Sequence, residues 1–280
     1  MKIDFIVNPD SKPGESPAAA ADEFNFRRAF ARHWRESMRY LGFWRSLREL
    51  ADAGWGALLE LLPSHRKARF GDLDYDWEHS VDTTRSNVGF GTQFFTGVTG
   101  RPYFATEPWL FQEIMQALAV SIQQSAVSHR TVAEAGLQDF TFIDLGCGKG
   151  RVLLMASDYP LKRIIGVEFM PELHRTAQKN ISWFASGRQR CRQIETLCMD
   201  ARDFQFPDGP LVVYLFNPFS EATFAQVLEN LRRSVERSPR PVYVAYRFTE
   251  FEQLLTQAEW LEKIAGTEQW AVYKNRQDRA

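Results

Sequence analysis

Phe142-Ile-Asp-Leu-Gly-Cys-Gly-Lys-Gly-Arg151 is the stretch on which the reading of this chain turns. An apolar run ends near Asp144, passes Gly146, Gly148 and Gly150 at alternate positions, and leads into the apolar segment Val152-Leu-Leu-Met-Ala156. Strand, glycine-rich turn and helix open a doubly wound α/β fold, where ligands sit at the carboxyl ends of strands and glycines let the backbone come close. Outward from this stretch the pattern predicts strands over 140–145, 163–168, 192–198, 211–216 and 242–246. Helices are predicted over 109–129, 150–158, 171–187, 220–234 and 248–258, and two terminal strands near 261–265 and 269–273. Apolar strands alternating with helices signal a parallel sheet covered on both faces.

The turn also carries chemistry. Its G-x-G-x-G spacing differs from the G-x-G-x-x-G of dinucleotide sites. Asp144 would repel a pyrophosphate, yet it suits a ligand bearing an ammonium and a sulfonium, while the helix N-terminus beyond can receive a carboxylate. These electrostatics favour S-adenosylmethionine over NAD. Glu168 ends the second strand, about twenty residues past the glycines, where an acid accepts hydrogen bonds from both ribose hydroxyls. Asp200 ends the third, placed to accept the adenine amino hydrogen while the Ala201 backbone N–H donates to the ring. The plain alternative for each acid is a polar strand end.

With D-x-G-x-G-x-G, the acid after strand two and Asp200-Ala201 after strand three, residues 140–247 resemble the core of the class I S-adenosylmethionine-dependent methyltransferases. The resemblance implies a doubly wound, mostly parallel, seven-stranded Rossmann-like sheet with its last strand antiparallel. It also implies cofactor contacts at Asp144, Gly146, Gly148, Gly150, Glu168, Asp200 and Ala201. Tyr103-Phe-Ala-Thr106-Glu-Pro108 is similar to the Y-x-P-T segment of lysine methyltransferases of this class, with Ala105 in place of the proline, which implies Tyr103 and Thr106 as cofactor-lid residues. Asn217-Pro218-Phe219 is similar to the N-P-P-[F/Y] motif of amine-directed methyltransferases, one proline short. That likeness implies that Asn217, Pro218 and Phe219 hold a nitrogen nucleophile in line with the methyl group, a displacement in which positioning dominates; the plain reading is a strand-ending turn. The implied activity is methyl transfer to an amine of a protein lysine or a small molecule. A catalytically inactive cofactor-binding scaffold is the alternative, against which the intact Asp144, Glu168 and Asp200 set argues. An NAD-dependent oxidoreductase is disfavoured by Asp144 and the glycine spacing.

The expected organisation is a flexible lead-in over 1–22, a helical extension over 23–85 and the Rossmann-like domain over 86–280. In the extension Phe26, Phe30, Trp34, Met38, Leu41, Trp44 and Leu47 follow helical spacing, giving one apolar stripe to dock on the domain. Seven arginines and two glutamates lie between Phe24 and Leu50, mostly off that stripe. They read as snorkelling side chains or as a surface for an acidic partner, RNA or anionic lipid. Residues 70–108 read as loop-rich and as covering a site. His79 within them is a candidate general base, His174 reads as solvated, and Lys149 and Arg151 read either as approaching the cofactor carboxylate or as serving helix solubility.

Bulk properties narrow the class. An apolar share of 44 % and a charged share of 25 % are those of an ordinary globular protein. A net charge of −1 argues against nucleic acid across the whole surface and leaves a local basic patch open. Cys147, Cys191 and Cys198 lack C-x-x-C spacing and read as reduced thiols, with no metal site expected. No apolar run approaches the roughly 18 residues that span a bilayer, and no signal-peptide layout opens the chain, so a cytoplasmic protein is expected.

Overall fold

The computed structural model describes residues 26–48, 50–51, 73–84, 103–128 and 136–276. The expectation for the lead-in over 1–22 and much of that for the loop-rich stretch 70–108 lie outside them, as do the side chains of Phe26 and Phe30 in the expected stripe.

The strands are β1 (Thr141–Leu145), β2 (Arg163–Glu168), β3 (Ile194–Cys198), β4 (Leu211–Phe216), β5 (Val242–Arg247), β6 (Leu261–Gly266) and β7 (Trp270–Asn275). They form one sheet in the order β3-β2-β1-β4-β5-β7-β6. The first five run parallel, and β7 lies antiparallel between β5 and β6. Every residue of β1 and β5 is buried, as an apolar strand in the middle of a covered sheet requires. The edge strands depart from the apolar expectation: β3 and β6 carry exposed polar residues, which suit strands with one unpaired side.

The helices are α1 (Phe26–Leu41), α2 (Leu73–His79), α3 (Pro108–Ser128), α4 (Arg151–Ala156), α5 (Pro171–Trp183), α6 (Glu221–Arg237) and α7 (Glu252–Thr256). Alternate residues of one strand feed opposite cores, as the pleat dictates. Phe142 and Tyr214 pack with Phe111 and Met115 of α3 and Val152 of α4, while Ile143 and Val213 pack with Phe224, Val227 and Leu231 of α6. Each such side chain contributes about 1.5–3 kcal/mol on burial. Strand order reverses between β1 and β4, and their register sets Leu145 beside Leu215. The turn after β1 and the Asn217 turn after β4 therefore open on the same crevice, the switch point where such sheets bind ligands.

Two expectations for the extension need correction. α1 docks on α6 with Ser37 buried and Trp34, Met38 and Leu41 half-buried, but the stripe stops at Gly42, whose φ of +80° turns the chain. Beyond it Phe43, Trp44 and Leu47 are exposed, because a spacing counted through a left-handed residue no longer tracks one face. Residues 73–79, expected as loop, form α2: Tyr75 and His79, four apart, stack with centroids 4.3 Å apart, and Tyr75 is buried. No helix among the described residues is long and apolar enough to cross a membrane.

Candidate cofactor and acceptor site

Gly146 and Gly148 hold φ of +82° and +55°, left-handed values that favour glycine. Crowding adds a second reason: a Cβ on Gly146 would overlap the Pro218 ring, and one on Gly148 would overlap the ring of Tyr103. Gly150, also left-handed, is the N-cap of α4. The backbone N–H groups of Gly146 and Cys147 both donate to the Val167 carbonyl, at 2.8 and 3.0 Å, tying the turn to the end of β2.

Two carboxylates are buried behind this turn. Glu168 accepts from the backbone N–H of Gly148 and of Met170, each at 2.8 Å, and burial raises its pKa against those bonds. Asp144 is 3 % exposed in the middle of the sheet, between β2 and β4. Burial, and then the charge of Glu168, push its pKa well above the ordinary carboxylate range. Among the described residues no cationic side chain bonds either acid. Lys149 and Arg151, both buried, turn the other way: Lys149 Nζ meets Asp82 at 3.0 Å, and Arg151 bonds Asp76, Thr83 and Thr84. Both sequence readings of this pair are thereby corrected, since each cation faces residues 76–84 of the chain itself. A buried carboxylate without a cationic partner is costly. A ligand bringing an ammonium and a sulfonium to Asp144 removes that cost, so the residues present fit S-adenosylmethionine.

The third acid stands differently. Asp200 accepts from Arg202 N and Nε at 2.9 Å and from its Nη2 at 2.5 Å, with Arg32 of α1 at 3.8 Å. It therefore faces the flank where α1 docks, and Ala201 begins the following 3-10 turn.

On the acceptor side Asn217 is buried, with a φ of +41° that is sparsely populated for a non-glycine residue. Tyr246 OH donates to its Oδ1 at 2.9 Å, and its Nδ2 donates to Glu250 at 2.9 Å. The side-chain amide is thus fixed at both ends. Pro218 lies against Gly146, and Phe219 is half-buried at the edge of the α6 core. Phe248, just past β5, has φ of +66°, placing two strained residues at the ends of adjacent strands. Upstream, Tyr103 OH donates to the Thr83 carbonyl at 2.5 Å, while Thr106 shares a 2.9 Å hydrogen bond with the buried Tyr214 hydroxyl.

The other candidates resolve as packing. His79 stacks between Tyr75 and Phe184, with Nδ1 3.0 Å from the Tyr75 carbonyl. His174, expected in solvent, is half-buried, and its Nε2 is buried without a hydrogen bond among the described residues. The sequence reading missed Asp76, Thr83, Asn180, Tyr246 and Glu250. One signal was present: a cation at the first residue of a helix opposes the positive end of the macrodipole and calls for a partner.

A seven-stranded sheet of this order, a glycine turn at its switch point and a buried acid pair behind that turn are the arrangement expected of the class I, Rossmann-like fold. The family model for a methyltransferase domain matches residues 142–238 of this chain. A relative from Chlamydia pneumoniae described as an uncharacterized RNA methyltransferase is 27 % identical over 139 residues, 46 % of this chain and 32 % of its own length. The match thus spans about a third of that relative. Among solved structures, an RNA methyltransferase from Salinibacter ruber with S-adenosyl-L-homocysteine is 18 % identical, covering 61 % of this chain and 91 % of its own, with a TM-score of 0.36. A precorrin-8w decarboxylase from Methanobacterium thermoautotrophicum is 16 % identical, covering 62 % and 92 %, with a TM-score of 0.40.

Proposed function

We propose that this protein transfers a methyl group from S-adenosylmethionine to an amine nitrogen, on a protein lysine or a small molecule. The observation that carries the reading is the Asn217 amide, fixed between Tyr246 and Glu250 beside the glycine turn. When bound, the cofactor supplies a methyl group activated by the sulfonium. Asp144, Gly146, Gly148, Gly150 and Glu168 are assigned to hold it, with Asp200 and Ala201 at the adenine end and Tyr103 and Thr106 as the lid. Asn217 Oδ1 keeps a lone pair beyond the one Tyr246 uses, so with neighbouring backbone carbonyls it can accept the amine N–H bonds and aim the nitrogen. Pro218 fixes that turn against the glycines, and the Phe219 ring packs on the acceptor. The description of the Chlamydia relative adds an amine of an RNA base to the acceptors worth screening.

Calorimetric titration with S-adenosylhomocysteine, run beside NAD, tests the cofactor assignment. Micromolar binding of the first and none of the second supports it, and silence from both overturns it; binding without methyl transfer to any amine acceptor brings the inactive cofactor-binding scaffold forward. For the acceptor assignment, Asn217→Ala is expected to lower turnover at least tenfold, a loss of about 1.4 kcal/mol, with cofactor affinity nearly unchanged. Equal loss of both would make Asn217 a structural residue.

A further inference from the structure

We propose that Arg151 is a positioning residue that straps residues 73–84 onto the glycine turn and thereby holds the Tyr103 ring over Gly148. The proposal rests on the cofactor reading of that turn. Arg151 is 2 % exposed at the start of α4. A buried guanidinium at the positive end of a helix is disfavoured twice, by desolvation and by the macrodipole. The chain meets that cost with a dense set of partners. Arg151 Nε donates to Thr83 Oγ1 at 2.6 Å, and Nη2 donates to Asp76 Oδ1 at 3.1 Å and to Thr84 Oγ1. The guanidinium also lies over the Tyr75 ring, 4.8 Å from its centroid. Asp76 in turn accepts from the Thr83 hydroxyl and from the backbone N–H of Thr83 and Thr84, at 2.9 and 2.6 Å for the latter two.

A second anchor lies one residue upstream. Asn180 of α5 exchanges hydrogen bonds with the Asp82 backbone, both at 2.9 Å, and donates to the Lys149 carbonyl at 2.9 Å, within the glycine turn itself. Held at both points, Thr83 presents its carbonyl to Tyr103 OH, and the Tyr103 ring covers Gly148. The path from Arg151 to the pocket is therefore Thr83, then Tyr103, then Gly148, and a segment that precedes the sheet in sequence forms one wall of the cofactor site.

The test is a double-mutant cycle on S-adenosylhomocysteine affinity in the full chain, with thermal melts alongside. Arg151→Gln is expected to weaken binding about tenfold and Tyr103→Phe several-fold, with the double variant no weaker than Arg151→Gln alone. Independent effects that multiply would overturn the path, since a merely structural arginine would act without regard to the tyrosine hydroxyl. Should Arg151→Gln fail to fold, Thr83→Val, which removes one hydroxyl, takes its place in the cycle. Hydrogen exchange in the ligand-free chain separates the two readings: Tyr103→Phe is expected to speed exchange of amides 82–84 and 146–150. Faster exchange without any cofactor binding would keep the strap and sink the cofactor reading, and unchanged exchange would sink the strap.

Discussion

Asp144 carries the strongest single-residue consequence. Its pKa is raised, so the folded, ligand-free protein holds a proton that the unfolded chain releases at lower pH. Its contribution to stability therefore falls as pH rises from the ordinary carboxylate range, near 4, through the raised folded value. Asp144→Asn is expected to remove this loss and to stabilise the ligand-free protein at neutral pH, checked by melting curves across pH. The same substitution is expected to weaken S-adenosylmethionine binding at least tenfold, about 1.4 kcal/mol. Because the cation of the ligand favours the ionised acid, binding to the natural chain should release a proton and tighten as pH rises. Titration in buffers of different ionisation heat measures that proton directly, and no buffer dependence would remove Asp144 from the cofactor contacts. Asp144 was legible in the sequence because its position relative to the glycines is fixed by covalent spacing. The partners of Arg151 were not, because Asp76 and Thr83 lie about seventy residues away along the chain.

At the scale of elements, α1 is joined to the domain by charge as well as by its apolar face. Arg202, buried in the 3-10 turn after β3, pairs with Asp200 and with Glu36 of α1, and burial together with Arg32 pushes its pKa down to about 10. Arg32 pairs with the exposed Asp203 on the same turn. The two arginines should separate sharply in stability measurements. Arg202→Ala removes a buried guanidinium from two half-buried acids, leaving each, among the described cations, with Arg32 alone, and is expected to cost about 2 kcal/mol. Arg32→Ala breaks a more exposed pair and is expected to cost under about 1 kcal/mol. Denaturant unfolding of both variants checks this, and equal losses would mean that α1 is held by its apolar face alone. Helices and inner strands were readable from period and composition, since each buries a face of its own. The turn at Gly42 was not, because the stripe on either side of it has the same spacing.

For the whole molecule, ligand binding and folding are linked. At S-adenosylhomocysteine concentrations about 100-fold above its Kd the folded state gains about 2.7 kcal/mol, enough to raise Tm by about 5 °C or more in a domain of this size. A thermal-shift series should show that rise and should lose most of it in Asp144→Ala. The sequence by itself determined the alternation of strands and helices, the glycine turn with its two following acids and the Asn217 turn. Each is set by neighbours within a few bonds or by a local period. Only the tertiary structure decided that β7 enters between β5 and β6, that Asp200 turns to Arg202, that Tyr246 and Glu250 fix Asn217, and that residues 73–84 close on the glycine turn. Those outcomes depend on which distant groups meet once the sheet has formed, where burial makes every unpaired charge seek a partner that sequence spacing does not reveal.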